Sequence, residues 1–336
     1  MTAAASPSGA AAWQAPRYRP GQGDGHYESW FLRANHPTRP QAFWIRYTLF
    51  APRGRPDLAE GELWAIHFDG DSRQIRAGKS EIPLAQCAFG GSGLDLRIGE
   101  AILRPGLLQG EIRQPHRLCW DLRYSGGGSP LLFLPEPLYG RSFPKAKAVT
   151  PRPLVRFSGT LEVDGESLQI DDWVGSENHN WGSKHTDSYA WGQVAGFDNA
   201  PEAFLELISA RLKVGPLWLP TLTVAVLRIG NEEHRLNGIL RGFRAHGQWR
   251  YFRWEFASSQ GGVRLHGHIE ASREDFVGLT YRNPPGGTHL CLNSKIASCE
   301  LLLEREGQPS LKLETRHRAA FEILTDDPDS GVRIVV

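Results

Sequence analysis

An all-β fold, two antiparallel barrels or sandwiches packed together, follows from three observations on this chain. Short segments alternate apolar and polar residues with a period of two. Clusters of Gly, Pro, Asn and Asp separate them. No long capped segment carries the 3.6-residue period of a helix. The alternation runs through Ala42–Phe50 (AFWIRYTLF), Glu62–Phe68, Leu118–Tyr124, Leu154–Val163, Thr221–Ile229, Val263–Ile269 and Ile296–Leu303. These segments are rich in β-branched and aromatic residues, which suit a pleated surface. Asp164-Gly165 carries the two-residue hairpin signal, with weaker forms at Asp69-Gly70 and Gly230-Asn231.

Strands recur from about Ser29 to the C-terminus, more than one β unit of ordinary size needs. Two units are therefore predicted, over residues 25–150 and 151–336. The boundary is placed in Pro130–Pro153 because Pro130, Pro135, Pro137, Pro144, Pro151 and Pro153 argue against a central strand there. Residues 1–24 read as a disordered tail. Met1–Pro16 is rich in Ala, Ser, Pro and Gly and lacks the basic and apolar regions of a secretory signal. No stretch approaches the ~20 apolar residues of a membrane span, so the expected location is the cytoplasm.

Lys plus Arg is 38 against 37 Asp plus Glu, a net charge of +1. That balance makes no case for nucleic acid or an anionic membrane. The expected partner is a small hydrophobic ligand or substrate, because 11 tryptophans stand beside a single methionine, and Trp offers a large apolar body with one polar handle. Cys87, Cys119, Cys291 and Cys299 form no C-x-x-C pair and read as buried free thiols. His266 and His268 share a strand face without a third ligand nearby, so no metal is expected. Neither a G-x-G-x-x-G turn nor a G-x-S-x-G elbow is present.

Two segments carry chemistry. In Gly175–His185 (GSENHNWGSKH), an acid, amides, imidazoles and an ammonium surround Trp181, and Tyr189 and Trp191 follow. On extended backbone Glu177, His179 and Trp181 share one face, and continuing the strand adds Tyr189 and Trp191. Rings beside a carboxyl disfavour its charged form, which suits Glu177 to act as an acid with His179 as its partner. Asn178, Lys184 and His185 are candidates for holding a polar part of the ligand. In Gly25–Arg33, Glu28 and Trp30 share a face and join the ligand-binding candidates. The same polar side chains also suit a structural role, satisfying backbone groups at a tight crossing between units.

His26–Arg33 with the aromatic strand Gln41–Phe50 resembles the opening of tocopherol cyclase-type sequences. Pro151–Gln193, with Phe157-Ser158-Gly159 and the Asn178-His179-Asn180-Trp181-Gly182 crossing, resembles the middle of the lipocalin-like superfamily. That superfamily groups tocopherol cyclase, carotenoid 1,2-hydratase (hydroxyneurosporene synthase) and AttH-like proteins, and fungal Diels–Alderases of lipocalin type share its architecture. The resemblance covers about 25–200 best and the C-terminal third by pattern alone. It implies two lipocalin-like β domains, no metal or organic cofactor, and hydration or cyclisation of an isoprenoid or polyketide-like substrate in an apolar cavity. A non-catalytic lipid or isoprenoid carrier would need the same cavity without a titratable group at the reacting atom. Substrate identity, stereochemistry and oligomeric state have no signature in these residues. If no metal is used, prolonged chelation leaves folding and ligand binding unchanged; stoichiometric metal in elemental analysis of the purified protein overturns the assignment.

Overall fold

The computed structural model describes residues 9–336, and its first half is a nearly closed antiparallel sheet of twelve strands. It begins with β1 (His26–Asn35), β2 (Gln41–Ala51), β3 (Glu60–Asp69) and β4 (Gln74–Pro83), each paired with the next. The sheet then runs through short strands to the long hairpin Ala146–Val163 and Glu166–Gly182, and Glu166–Gly182 returns to pair with β1. The second sheet has ten strands and repeats this closure. Its first strand, Ser188–Ala195, lies beside its last, Leu311–Thr325. The protein is thus all-β, as the period-two segments predict. The Asp164-Gly165 turn of the long hairpin has φ of 51° and 91°, the positive values that a two-residue turn of this type demands.

The change of sheet falls between Gly182 and Ser188, not in the proline-rich segment. Pro151 and Pro153 lie inside the Ala146–Val163 strand. Its pairing with Glu166–Gly182 slips between Val149 and Arg152 and again between Arg152 and Val155. These irregularities accommodate residues that cannot donate to the ladder, which is why prolines did not mark a domain end here.

Three apolar layers result. Trp30, Phe43, Tyr47, Trp120, Phe157 and Trp173 help to fill the first barrel. Leu205, Leu227, Trp254, Leu265, Phe276 and Phe321 help to fill the second. Phe31, Trp44, Trp64, Trp191, Leu279 and Tyr281 lie between the sheets. The middle layer exists because both faces of β1 and β2 are buried, with alternate residues facing the barrel and the other sheet. Gly175 sits where β1 comes closest: a Cβ there would lie 1.8 Å from the Arg33 carbonyl oxygen.

The predicted tail is not free where the structure describes it. Residues 1–8 lie outside the described residues. Ala10–Gln14 forms a helical turn (α1) that ends where Pro16 holds Ala15 in extended backbone, and Gln14 is buried. No helix among the described residues is long and apolar enough to cross a membrane.

A polar seam joins the sheets. Arg33 is fully buried. It donates from Nε to Gln193 Oε1 (2.8 Å), from Nη1 to Asn35 Oδ1 (2.7 Å) and from Nη2 to the Gln193 carbonyl (3.0 Å). Asn35 donates onward to the Lys295 and His317 carbonyls. Replacing Arg33 by Met removes these donors and leaves buried acceptors without them, a loss of about 2–5 kcal/mol. Denaturant unfolding of Arg33→Met should show it as a lowered midpoint; an unchanged midpoint would mean that apolar contacts alone dock the sheets.

Candidate functional site

Glu28, Trp30 and Leu32 on β1 pair with Trp181, His179 and Glu177, so these six side chains face the first barrel together. The sequence reading joined Glu177, His179 and Trp181 correctly. A turn at Ser183–Asp187 then redirects the chain, so Tyr189 and Trp191 belong to the space between the sheets.

On the barrel side the polar groups are occupied by the chain's own N-terminal segment. The Glu28 carboxylate accepts from the Arg17 and Tyr18 amides (2.7 and 2.9 Å), from His26 Nε2 (3.1 Å) and from His179 Nε2 (2.8 Å). Burial pushes Glu28 up, but the hydrogen bonds and charges of His179 and His26 outweigh it and hold the carboxyl at about 2. His179 Nδ1 donates to the Trp13 carbonyl at 2.6 Å, so its partners require both ring nitrogens to donate. Its ring stacks on Trp30, 4.7 Å between centroids. Gln14 Nε2 and Tyr124 Oη both donate to Glu177, whose carboxyl is raised by complete burial against the pull of those bonds. Trp30 Nε1 donates to the Gln14 carbonyl (2.8 Å), and Arg17 lies over the Trp181 ring.

On the other face lies a cavity of about 540 Å³ between the sheets. Asn178, His185, Tyr189 and Trp191 line it. Glu28, Trp30, Glu177 and Trp181 do not; His179 borders it with both ring nitrogens already bonded. Lys184 instead pairs with Asp187. The predicted set is therefore split by the wall that β1 and Glu166–Gly182 form. His185 stacks on Tyr27 (3.9 Å) and is held at about 3, mainly by burial and then by Arg46 and His289. It presents a neutral ring.

The cavity's strongest groups are ones the motif reading passed over. Glu206 is buried at its wall. Burial raises it to about 7 against hydrogen bonds from Thr150 and Trp191 and the charge of Arg33. Thr150 Oγ1 is 2.6 Å from Glu206 Oε2 and 3.2 Å from Asn178 Oδ1, which also accepts from Gln193 Nε2 (2.7 Å). One hydroxyl proton cannot serve two acceptors. A proton on Glu206 resolves the conflict. Across the cavity, Arg46 donates from Nη2 to Ser29 (2.7 Å) and lies over the Tyr281 ring (4.6 Å). Arg46 Nε and the indole N–H of Trp44 have no partner among the described residues, although both residues are buried in the cavity lining. Glu322 is met by Lys295 Nζ (2.7 Å). A signal for three of these charged groups was present: Arg46, Glu206 and Glu322 each stand as the one charge in an apolar stretch, AFWIRYTLF, AFLELISA and AAFEILT. Such charges are almost never buried without purpose.

Glu60, Glu62 and Glu81 also converge, but Arg282 lies against all three and Lys79 against two. Their charge is already balanced.

Comparison with known proteins bears on the fold. The uncharacterized protein Rv0493c of Mycobacterium tuberculosis (strain H37Rv) is 25% identical over 289 residues, 86% of this chain and 84% of that one. An AttH-assigned protein of Nitrosomonas europaea superposes with a TM-score of 0.57 at 13% identity, covering 95% of this chain and 99% of the other. Kievitone hydratase of Nectria haematococca gives 0.55 at 12%, over 90% and 89%. CghA gives 0.56 at 10%, over 93% and 94%. No family model matches the chain. At such identities these structures establish shared architecture. They do not extend to tocopherol cyclase.

Glu28 is the anchor of the N-terminal segment, so Glu28→Gln should open the Arg17–Tyr18 bond to trypsin about ten-fold faster or more, a loss of at least one charged hydrogen bond. Limited proteolysis followed by mass spectrometry reads this; equal cleavage rates would place the anchor elsewhere.

Proposed function

We propose that the chain is a hydratase- or cyclase-type enzyme, without metal or organic cofactor, that acts on a small hydrophobic substrate in the cavity between the sheets. Glu206 is its proton donor and acceptor. The observation that carries this reading is the buried Glu206 carboxyl, poised near neutrality on an apolar wall and joined through Thr150 to an amide chain. A general acid works best with a pKa near the operating pH. The architecture shared with kievitone hydratase and CghA is consistent with it.

The charge around the cavity favours one kind of step. Arg46 and Lys295 already lie near the rings of Trp44, Trp191 and Tyr281, so a developing carbocation there would meet positive charge. Unpartnered N–H groups on Arg46 and Trp44 suit an oxygen on which negative charge develops. The reaction is therefore addition of a hydroxyl across an alkene conjugated to a carbonyl-type oxygen. The oxygen–carbon bond forms as the alkene π pair moves toward the held oxygen. Glu206 then gives its proton to the adjacent carbon and recovers one from the added hydroxyl. In this account Glu177 and His179, the pair expected from the motif, hold the N-terminal segment.

Glu206→Gln should keep apolar-ligand binding, read by tryptophan quenching, and lose turnover of a conjugated prenylated substrate by ~10²–10⁴-fold; Glu177→Gln should keep turnover. The reverse result restores Glu177, and binding without turnover in the wild type makes the protein a carrier. A second readout needs no substrate. Glu206 is raised in the folded state, so its stabilising protonation is complete below the ordinary carboxylate range and is lost as pH rises through about 7. Glu206→Gln lacks that loss, and its Tm relative to wild type should climb between about pH 4.5 and 7; a constant difference contradicts the assignment.

A further inference from the structure

The mouth of the cavity carries an unusual surface. Among the described residues, nine large apolar side chains are exposed, and six lie on three segments at this mouth: Phe143, Val214, Leu217, Trp218, Leu240 and Phe243. Phe143 and Phe243 line the cavity themselves. Leu240 follows the lining residue Ile239. Val214, Leu217 and Trp218 belong to a hairpin whose base, Leu212 and Leu219, also lines it. The exposures are large: 82% for Leu240, 71% for Leu217 and 63% for Phe143. A lone exposed Leu means little, but a cluster of this kind marks an interaction surface.

The charge of the same segments is one-sided. Residues 141–147, 211–220 and 239–246 hold six exposed cations, Arg141, Lys145, Arg211, Lys213, Arg241 and Arg244, besides the buried Lys147, and no Asp or Glu. The chain as a whole is balanced at +1. None of these six cations makes an ion pair with a described residue, whereas Arg39, Arg104 and Lys312 elsewhere on the surface do. Of the acids nearby in the chain, Asp187 is held by Lys184 and by the Lys213 amide, and Glu136 lies on the turn before Arg141. Arg211 and Lys213 pack over the Trp218 ring, which keeps their heads beside an aromatic that suits a membrane interface.

We propose that this rim docks on the surface of an anionic lipid bilayer, so that the cavity opens onto the membrane. Apolar tips enter the headgroup boundary while unpaired cations meet lipid phosphates and carboxylates. The reading of the cavity as a substrate site is needed only for what passes through the mouth; docking itself rests on the rim. A second copy of the chain fits less well, since a two-fold contact would bring six unpaired cations against six.

Co-sedimentation of the full chain with phosphatidylcholine vesicles, with and without phosphatidylserine, tests this in the absence of substrate. The expected result is binding that requires phosphatidylserine and weakens as salt is raised. Leu217→Ser with Trp218→Ser should lower partitioning about ten-fold or more, with apolar-ligand quenching in buffer retained. Arg241→Gln with Arg244→Gln should lower it on anionic vesicles while Tm stays unchanged. No sedimentation with either vesicle, or sedimentation untouched by both pairs of substitutions, overturns the proposal. So does a concentration-dependent dimer that Leu217→Ser/Trp218→Ser dissolves while vesicles bind nothing. Failure here leaves the Glu206 chemistry standing, and retained turnover in Glu206→Gln leaves docking standing.

Discussion

A single buried guanidinium organises both the packing of the two sheets and the chemistry between them. Arg33 crosses from β1 to the second sheet with no carboxylate in hydrogen-bond reach; its partners are the side-chain amides of Gln193 and Asn35 and the backbone carbonyls of Gln193 and Arg318. Burial lowers it to about 9, while Glu206 and Glu322 act on it through space. A buried charge is costly unless its donors are satisfied, and the amide and carbonyl oxygens around Arg33 satisfy them. Gln193 passes the constraint to Asn178, Asn178 to Thr150 and Thr150 to Glu206. Where the sheets dock therefore fixes where the cavity's acid sits and biases its proton. The influence is opposed: Arg33 pulls Glu206 toward its charged form, and burial prevails.

The wall made by β1 and Glu166–Gly182 divides the two polar systems by residue parity alone. Odd positions from Glu177 to Trp181 meet the N-terminal segment; Asn178 and Asn180 meet the cavity. Neighbouring residues thus serve different ends. The halves still touch at one place. Trp13, whose carbonyl His179 binds, packs edge-on against Tyr139, 4.9 Å between centroids. Tyr139 lies on the turn between Leu138 and Phe143, both of which line the cavity. The N-terminal segment therefore supports one side of the cavity's roof without contributing a reacting group.

How much of this was legible follows from what each pattern encodes. Period-two alternation reports which residues share a face, and it paired Glu177, His179 and Trp181 as the structure does. It is blind to a turn that redirects the strand, so it carried Tyr189 and Trp191 across Ser183–Asp187 onto the wrong face. Composition reports average behaviour, and an Ala-rich start looked like a tail because three fixed carbonyls and amides have no compositional mark: those of Trp13, Gln14 and Arg17 are bound by His179, Trp30 and Glu28. Proline rules assume regular ladders, and the slipped register near Arg152 lifted that assumption. Density of polar residues drew attention to Gly175–His185, whereas Arg46, Glu206 and Glu322 stand singly in apolar stretches. Isolation was the stronger signal, since a lone Glu in AFLELISA has no solvated neighbours to explain it.

Net charge misled in the same way as composition. A total of +1 is compatible with evenly mixed charge and also with a local basic rim offset by acids elsewhere. The segments at the cavity mouth, with six exposed cations and no acid, show the second. The sorting fits what the cavity would admit. Moving an apolar chain from membrane to water costs about 0.8 kcal/mol for each methylene, so a ten-carbon chain forfeits roughly 8 kcal/mol by crossing solvent. An entrance walled by Phe143 and Phe243 avoids that crossing if it rests on the lipid. Glu206 is buried by the chain itself, and its raised proton affinity depends on that burial before anything else. On the proposed reading, the apolar mouth and the protonated acid meet one requirement, a passage that substrate enters without water following it.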